Sequence, residues 1–187
     1  MPTQLILLNN QVAIDHICAA GAPQLILAPG NGFTGSHLWT QMMGANDAPS
    51  SQFLNKLVDP LRNTAIDIHE YLDIDFSGSH DECTQPAPSN LANLMTWLQE
   101  NHFKAMISEF RGGNNENCFQ FIDTMLDYLP LTFWGTSAPC CGADTGSLEP
   151  GQLNDLGQPD AFTTMWANSV RPNIPKNLKR NGVSSLS

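Results

Sequence analysis

The sequence predicts an α/β protein with a parallel sheet, because short apolar runs alternate with helix-like segments along the chain. Strands are predicted at residues 24–28, 64–68, 104–107 and 131–134. The long polar segments of the chain follow these strands. Since α/β sheets and barrels bind their ligands beyond the carboxyl ends of the strands, the residues that follow each strand are the first candidates for function.

The helices are predicted from apolar residues that recur at helical spacing. Residues 11–20 and 53–61 show this pattern, as do residues 91–98, for which Asn90 is a candidate N-cap. Residues 118–129 form the last clear helix. Helices between the strands are what a parallel sheet requires.

Composition excludes several classes of partner. The chain has 187 residues, of which 41% are hydrophobic and 14% charged, as expected for one globular domain. The net charge of −10 argues against nucleic acid and anionic membranes, which both require basic patches. No apolar run approaches the roughly 20 residues needed to span a bilayer, and no positively charged segment marks a signal peptide. These properties favour a neutral substrate.

Metal and nucleotide sites are not predicted. The five cysteines lack the spacing of a zinc site, and their odd number leaves at least one thiol unpaired within a monomer. They are Cys18, Cys83, Cys118, Cys140 and Cys141. No glycine-rich phosphate motif follows a strand. We therefore expect no cofactor, and composition alone leaves the redox compartment open.

The residues near the predicted strand ends are typical of a carbohydrate site, where aromatic faces stack on sugar rings and polar groups bind hydroxyls. His69, Tyr71 and Trp134 each have an alternative as structural or core residues. Trp39 lies in a polar loop and is expected to be functional, whereas Trp97 is expected in the core. The complete set is Asn31, Phe33, His37 and Trp39 after the first strand, His69 and Tyr71 after the second, Glu109 after the third and Trp134 at the end of the fourth.

Glu109 follows a buried strand and precedes Gly112 and Gly113. A charge at this position is costly unless it is paired or used. The glycines allow a sharp turn or a close approach to a ligand. From position alone, Glu109 is either a structural carboxylate or a catalytic group.

Four segments resemble the fungal endoglucanases of glycoside hydrolase family 5. They are PGNGFTG at 29–35, HEYLDIDFSGSHDEC at 69–83, ISEFRGGN at 107–114 and SLEP at 147–150, in the order of that family. The resemblance implies hydrolysis of internal β-1,4-glucosidic bonds in cellulose or related β-glucans by a retaining mechanism. It covers about residues 1–150.

The same resemblance implies the fold and the residue roles. The fold would be a partial TIM (β/α)8-type barrel of about four βα units, corresponding to the last four strands. Residues 1–170 would be the C-terminal half of the catalytic domain. Independently of the resemblance, the residue pattern predicts a short helix at 161–168, and the basic composition at the end of the chain predicts a loose tail at 171–187. Complete barrels typically need about 250 residues. The implied nucleophile is Glu109, assisted by His69 and Tyr71, with Asn31, Trp39 and Trp134 binding the glucan and Cys83 bonded to Cys118.

The general acid/base of the family is the missing part. It lies in an Asn-Glu-Pro segment, and this chain contains none. Glu70 is excluded as a substitute because it points away from His69 and Tyr71. The candidates that remain are Asp73, Asp75, Asp81 and Glu82.

Two alternatives to an active enzyme stay open. One is a catalytically silent half barrel that binds β-glucan, and the other is a truncated fragment. Exposed sheet edges would allow a homodimer in either case. The implied disulfide and the family indicate an extracellular, oxidising compartment.

Overall fold

The computed structural model describes residues 1–42, 47–113 and 115–129, the backbone of Ala138 and Pro139, and Pro172. These residues divide into two compact units, which are described separately. The elements in chain order are α1 (Thr3–Ala19), β1 (Ile26–Ala28), α2 (Ser50–Phe53), β2 (Thr64–Tyr71), α3 (Ala87–Asn101), β3 (Ala105–Arg111), α4 (Glu116–Tyr128) and β4 (Ala138–Pro139), with short 3-10 turns between some of them.

The strands follow the order β1-β2-β3-β4, and the pairs β1–β2 and β3–β4 are parallel. Ile26 of β1 pairs with Thr64 of β2, and Glu109 of β3 pairs with Ala138 of β4. The predicted α/β class is confirmed. The strand predicted at 131–134 and the helix predicted at 161–168 lie outside the described residues.

The first unit contains Met1–Ile68 and Ala92–Met106, and its core holds an aromatic cluster. Trp39 is 1% exposed and meets Trp97 edge-on, with ring centroids 5.2 Å apart. Trp97 stacks on Phe103 and donates its indole hydrogen to the carbonyl of Ser51. The expected core position of Trp97 is confirmed, but the expectation that Trp39 is a functional loop residue is wrong, because packing against Trp97 removes its faces from solvent.

The prediction of a helix at 53–61 is also wrong beyond the first turn. The α-helix ends at Phe53 and a 3-10 turn continues only to Lys56, after which Leu57 is extended. Val58 then donates its N–H to the side chain of Gln11 at 2.9 Å. Pro60 disfavours helical backbone at the preceding residue, so the helical spacing of apolar residues here does not produce a helix.

The first helix is longer than predicted. It begins at Thr3 instead of residue 11, and the Thr3 N–H and hydroxyl bond to Asp47 and to the carbonyl of Ala48. These contacts satisfy polar groups at the helix N-terminus, where backbone donors lack partners within the helix.

The second unit contains His69–Leu91 and the described part of Ile107–Ile174. Asn115 caps α4, since its side chain accepts the N–H of Cys118 at 2.9 Å. Asn90 is not a cap, contrary to expectation. Helix α3 starts three residues earlier, at Ala87, and the Asn90 amide instead donates to the buried carboxylate of Glu70 at 2.9 Å.

The glycines after Glu109 serve chain packing. A side chain at Gly112 would lie 3.1 Å from Cβ of Cys118 and 3.2 Å from Sγ of Cys83. At Gly113, it would collide with the backbone of Asp81. The end of β3 can therefore pass close to these neighbours only because both residues lack a Cβ.

Within the described residues, none of the helices has the length and apolar character needed to cross a bilayer.

Candidate active site

His69 and Tyr71 lie on one face of β2, as their spacing predicts. Along the strand, partly exposed His69 and Tyr71 alternate with buried Ile68 and Glu70. The His69 and Tyr71 rings meet edge-on, with centroids 6.4 Å apart. Glu70 lies on the opposite face, which agrees with its exclusion as a catalytic acid.

Glu109 meets His69 across neighbouring strands of the second unit. Oε2 of Glu109 is 3.5 Å from Nε2 of His69, and the two side chains are 21% and 23% exposed. This distance exceeds that of an ordinary N–H···O hydrogen bond, but catalytic contacts are often long without substrate. Glu109 lies within β3 instead of after its end, because the strand continues to Arg111.

A partly exposed carboxylate beside an imidazole can act as a nucleophile or as a proton acceptor. The carboxylate is accessible to a ligand, and the imidazole can donate to it or to a sugar hydroxyl. The geometry thus places three predicted catalytic residues together: Glu109, His69 and Tyr71.

Asp73 organises the loop that follows β2. Its buried carboxylate accepts the backbone N–H groups of Gly78, Ser79 and His80 at 3.0–3.2 Å. The Ser77 hydroxyl and Nδ1 of His80 also contact it, both at 3.1 Å. Burial by itself raises the pKa of Asp73, but the hydrogen bonds outweigh burial and hold the pKa below its ordinary value. Because its buried oxygens are already engaged by the loop backbone, Asp73 is removed from the candidates for the general acid.

Asp73→Asn is expected to destabilise the protein by about 1–3 kcal/mol at neutral pH, because an amide nitrogen cannot accept these hydrogen bonds. Since the folded-state pKa is below the ordinary value of 3.8, the stabilisation is present above that value and is lost as pH falls through the folded-state pKa. Urea unfolding at neutral pH and at about pH 3 should therefore show a smaller difference between wild type and variant in acid.

Asp127→Asn is the matched control, because it makes the same chemical change at an exposed position of α4 in the same unit. It should change the free energy of unfolding by no more than about 0.5 kcal/mol. A difference between wild type and Asp73→Asn that is equal at both pH values would contradict the assigned role of the Asp73 carboxylate.

Asp73, Asp75 and His80 bring potential metal-binding atoms within 4.8 Å of one another. The hydrogen bonds that the Asp73 oxygens accept already direct them at the loop backbone. The pKa of His80 is raised by its hydrogen bond with Asp73 and by the nearby charge of Asp75. This arrangement anchors the loop.

Asn31 lies in the first unit and has a structural role there. Its amide nitrogen donates to Thr3 Oγ1 at 2.9 Å and Asp47 Oδ2 at 2.8 Å, and its oxygen accepts the Gly32 N–H. The expected substrate-binding amide is therefore already engaged in tying the loop to the start of α1. Asn31 was predicted to bind substrate because it follows a strand, and that position does not reveal the hydrogen bonds its side chain makes.

The other predicted site residues are distributed as follows. Asp81 is 75% exposed with an oxygen 3.7 Å from Nη2 of Arg111, and Glu82 is exposed. Trp134, like the SLEP segment and most of the predicted tail, lies outside the described residues. Cys83 and Cys118 are bonded to each other, with Cα atoms 5.1 Å apart.

Two residues of this unit that the sequence analysis missed are Arg111 and Gly78. Arg111 shares the strand face of Glu109 and donates to the carbonyl of Gly78. Gly78 has a φ of +70° and packs against the Tyr71 ring. The sequence offered one signal for each residue. Arg111 is spaced two residues from Glu109, and Gly78 is a glycine in a polar loop.

Comparison with known proteins identifies the family. The sequence profile of the cellulase family, glycosyl hydrolase family 5, matches residues 3–144. The chain belongs to this family. Among its relatives, Endoglucanase 1 of Robillarda sp. (strain Y-20) is 45% identical over 202 aligned positions, which cover 100% of this chain and 51% of that protein.

Solved structures of family 5 agree with this assignment. A triple mutant of an endo-beta-1,4-glucanase from Xanthomonas axonopodis pv. citri matches with a TM-score of 0.79 and 27% identity, over 92% of this chain and 56% of that one. XacCel5A in complex with cellopentaose matches with a TM-score of 0.77 and 28% identity, over 88% and 54%. This family 5 chain spans about half the length of the curated relatives it matches.

Proposed function

We propose that this chain carries the nucleophile side of a retaining endo-β-1,4-glucanase site, with Glu109 as the nucleophile. The observation that carries the proposal is the contact of 3.5 Å between Glu109 and His69, within segments that resemble the family's catalytic region. The cellulase family membership supports the same reaction. His69 and Tyr71 would hold the carboxylate and the sugar in position.

In the proposed reaction, a carboxylate oxygen of Glu109 attacks the anomeric carbon while the bond to the leaving glycosidic oxygen breaks. A general acid protonates that oxygen. Water then attacks the glycosyl ester, with the acid/base residue accepting its proton, and Glu109 is released as a carboxylate. Retention of the anomeric configuration follows from two successive displacements.

The acid/base residue is inferred to come from a segment that the 187 residues do not contain. Asp73 is unsuited because its buried carboxylate already accepts three backbone N–H groups of the loop. Asp75, Asp81 and Glu82 stay candidates for a weak substitute. The coverage of about half of two relatives agrees with a partial barrel, and the resemblance of the four segments assigns the βα units to its last four strands.

Cello-oligosaccharides are the proposed ligands, and the cellopentaose complex of a structural relative supports them. The disulfide between Cys83 and Cys118 favours an extracellular compartment. A homodimer through exposed sheet edges stays a prediction, which sedimentation velocity would decide.

The test compares two substrates that differ in their need for an acid. An aryl β-cellobioside with an acidic phenol as leaving group requires little protonation, so Glu109 should release the phenol and form a glycosyl ester detectable by mass spectrometry. Soluble β-1,4-glucan should be hydrolysed with a rate lowered by about 10²–10⁴-fold relative to a complete site, because its leaving group needs a proton.

The absence of both phenol and adduct would contradict the proposal. If cello-oligosaccharides still bound in that case, titration would support the catalytically silent half barrel. The burial of Trp39 removes one stacking surface on which that alternative relied.

A further inference from the structure

We propose that Arg111 is a positioning residue for the catalytic pair, and that it acts by holding Gly78 against the ring of Tyr71. The proposal rests on the proposed function, in which Glu109 is the nucleophile. Arg111 lies two positions beyond Glu109, on the same face of β3.

The guanidinium of Arg111 links two points of the loop that follows β2. Nη1 donates to the carbonyl of Gly78, and Nη2 lies 3.7 Å from Oδ1 of Asp81. The Arg111 side chain is only 10% exposed, so its hydrogen bond to Gly78 forms where solvent screens it little, whereas Asp81 is 75% exposed and its contact is screened more. A planar guanidinium can serve two acceptors in a fixed geometry, which an ammonium group cannot.

Both backbone polar groups of Gly78 form hydrogen bonds. Its N–H donates to Oδ1 of Asp73 at 3.0 Å, and its carbonyl accepts from Arg111. Its φ of +70° favours glycine. A Cβ at this position would lie 2.6 Å from Cδ1 and 2.7 Å from Cε1 of Tyr71. The Gly78 backbone therefore packs against one side of the Tyr71 ring and limits its movement.

Tyr71 transmits this constraint to the catalytic pair. Its ring meets the His69 ring edge-on, and Nε2 of His69 is 3.5 Å from Oε2 of Glu109. Contacts thus connect Glu109 to His69, His69 to Tyr71, and Tyr71 to Gly78. Gly78 is bonded to Arg111, which lies on β3 together with Glu109. Loss of Arg111 would let the Gly78 backbone move, and the Tyr71 and His69 rings would then rotate away from Glu109.

The chain contains only two tyrosines, Tyr71 and Tyr128, which makes a direct test available. Protein labelled at the tyrosine rings should give two sets of NMR signals. In Arg111→Met, the Tyr71 signals are expected to shift or broaden while those of Tyr128, in α4, stay in place. Arg111→Lys retains one donor and should show a smaller shift in the same direction. Arg62→Met removes an exposed arginine from the other unit and should move neither set.

Kinetics separate positioning from general stability. With the aryl β-cellobioside and at a temperature where the variants are folded, Arg111→Met should lower kcat about tenfold with little change in KM, because it affects a group that acts in the transition state. Arg111→Lys should recover part of kcat. A residue that only stabilised the fold would alter the melting temperature and leave kcat of the folded protein unchanged.

Unchanged Tyr71 signals in Arg111→Met would overturn the proposal, as would equal shifts in Arg62→Met. If Arg111→Met is unfolded, which loss of both native tyrosine signals would reveal, Arg111→Lys decides. A shifted Tyr71 then supports the proposal and an unshifted one overturns it. If the wild-type chain releases no phenol, the proposed function fails, but the tyrosine signals still decide whether Arg111 positions Tyr71.

Discussion

Glu109→Gln is expected to reduce phenol release from the aryl β-cellobioside by roughly 10³-fold or more, because an amide cannot form the glycosyl ester. The exchange preserves the size of the side chain, and the 21% exposure of Glu109 makes a large loss of stability unexpected. Initial rates of phenol release should be measured beside intact-mass spectra, in which the glycosyl adduct present on the wild type is absent from the variant.

Glu100→Gln is the matched control, since it makes the same chemical change at an exposed position of α3. It should retain the wild-type rate. Hydrolysis that persists in Glu109→Gln would assign the reaction to another carboxylate, or to a contaminating enzyme. Equal losses in both variants would show that the effect is not specific to Glu109.

Removal of the disulfide by the double change Cys83→Ala and Cys118→Ala is expected to lower the free energy of unfolding by about 4 kcal/mol. The bridge closes a loop with a sequence separation of 35 residues, and the chain-entropy relation gives this magnitude at 25 °C. Both cysteines are buried, so alanine avoids leaving a buried hydroxyl. Urea unfolding of the oxidised wild type and the double variant would measure the difference.

Cys18→Ala provides the control for loss of a thiol, because Cys18 is half-buried and unbridged. Reduction of the wild type should reproduce most of the loss of stability, whereas reduction of the double variant should change nothing. A double variant as stable as the oxidised wild type would show that the bridge does not restrict the unfolded chain.

The sequence predicts those parts of the fold that local pattern controls. Alternation along β2 places His69 and Tyr71 on one face, and the apolar run before Glu109 marks β3. The helix predicted at 53–61 fails for two reasons. Pro60 disfavours helical backbone at the residue before it, which is a local signal, and Val58 bonds to Gln11 across 47 positions, which no local pattern contains. Such contacts decide where an element ends, as they do at the start of α1.

The sequence predicts the direction of side chains within strands better than the direction of side chains in loops. A strand fixes the direction of alternate side chains, so the meeting of Glu109 and His69 follows from their strands. A loop position gives no such direction. Trp39 is therefore found in the core, and Asn31 is engaged with Thr3 and Asp47. The role of Arg111 depends on the loop conformation around Gly78, which spacing alone does not reveal.

The bond between Cys83 and Cys118 makes a covalent ring of the intervening chain, which contains all of α3, all of β3 and thus Glu109. A single proteolytic cut between residues 84 and 117 would open this ring without separating the two parts of the chain. The nicked protein would migrate as one band until it is reduced. The strand that bears Glu109 would remain tethered to the rest of the chain after the cut.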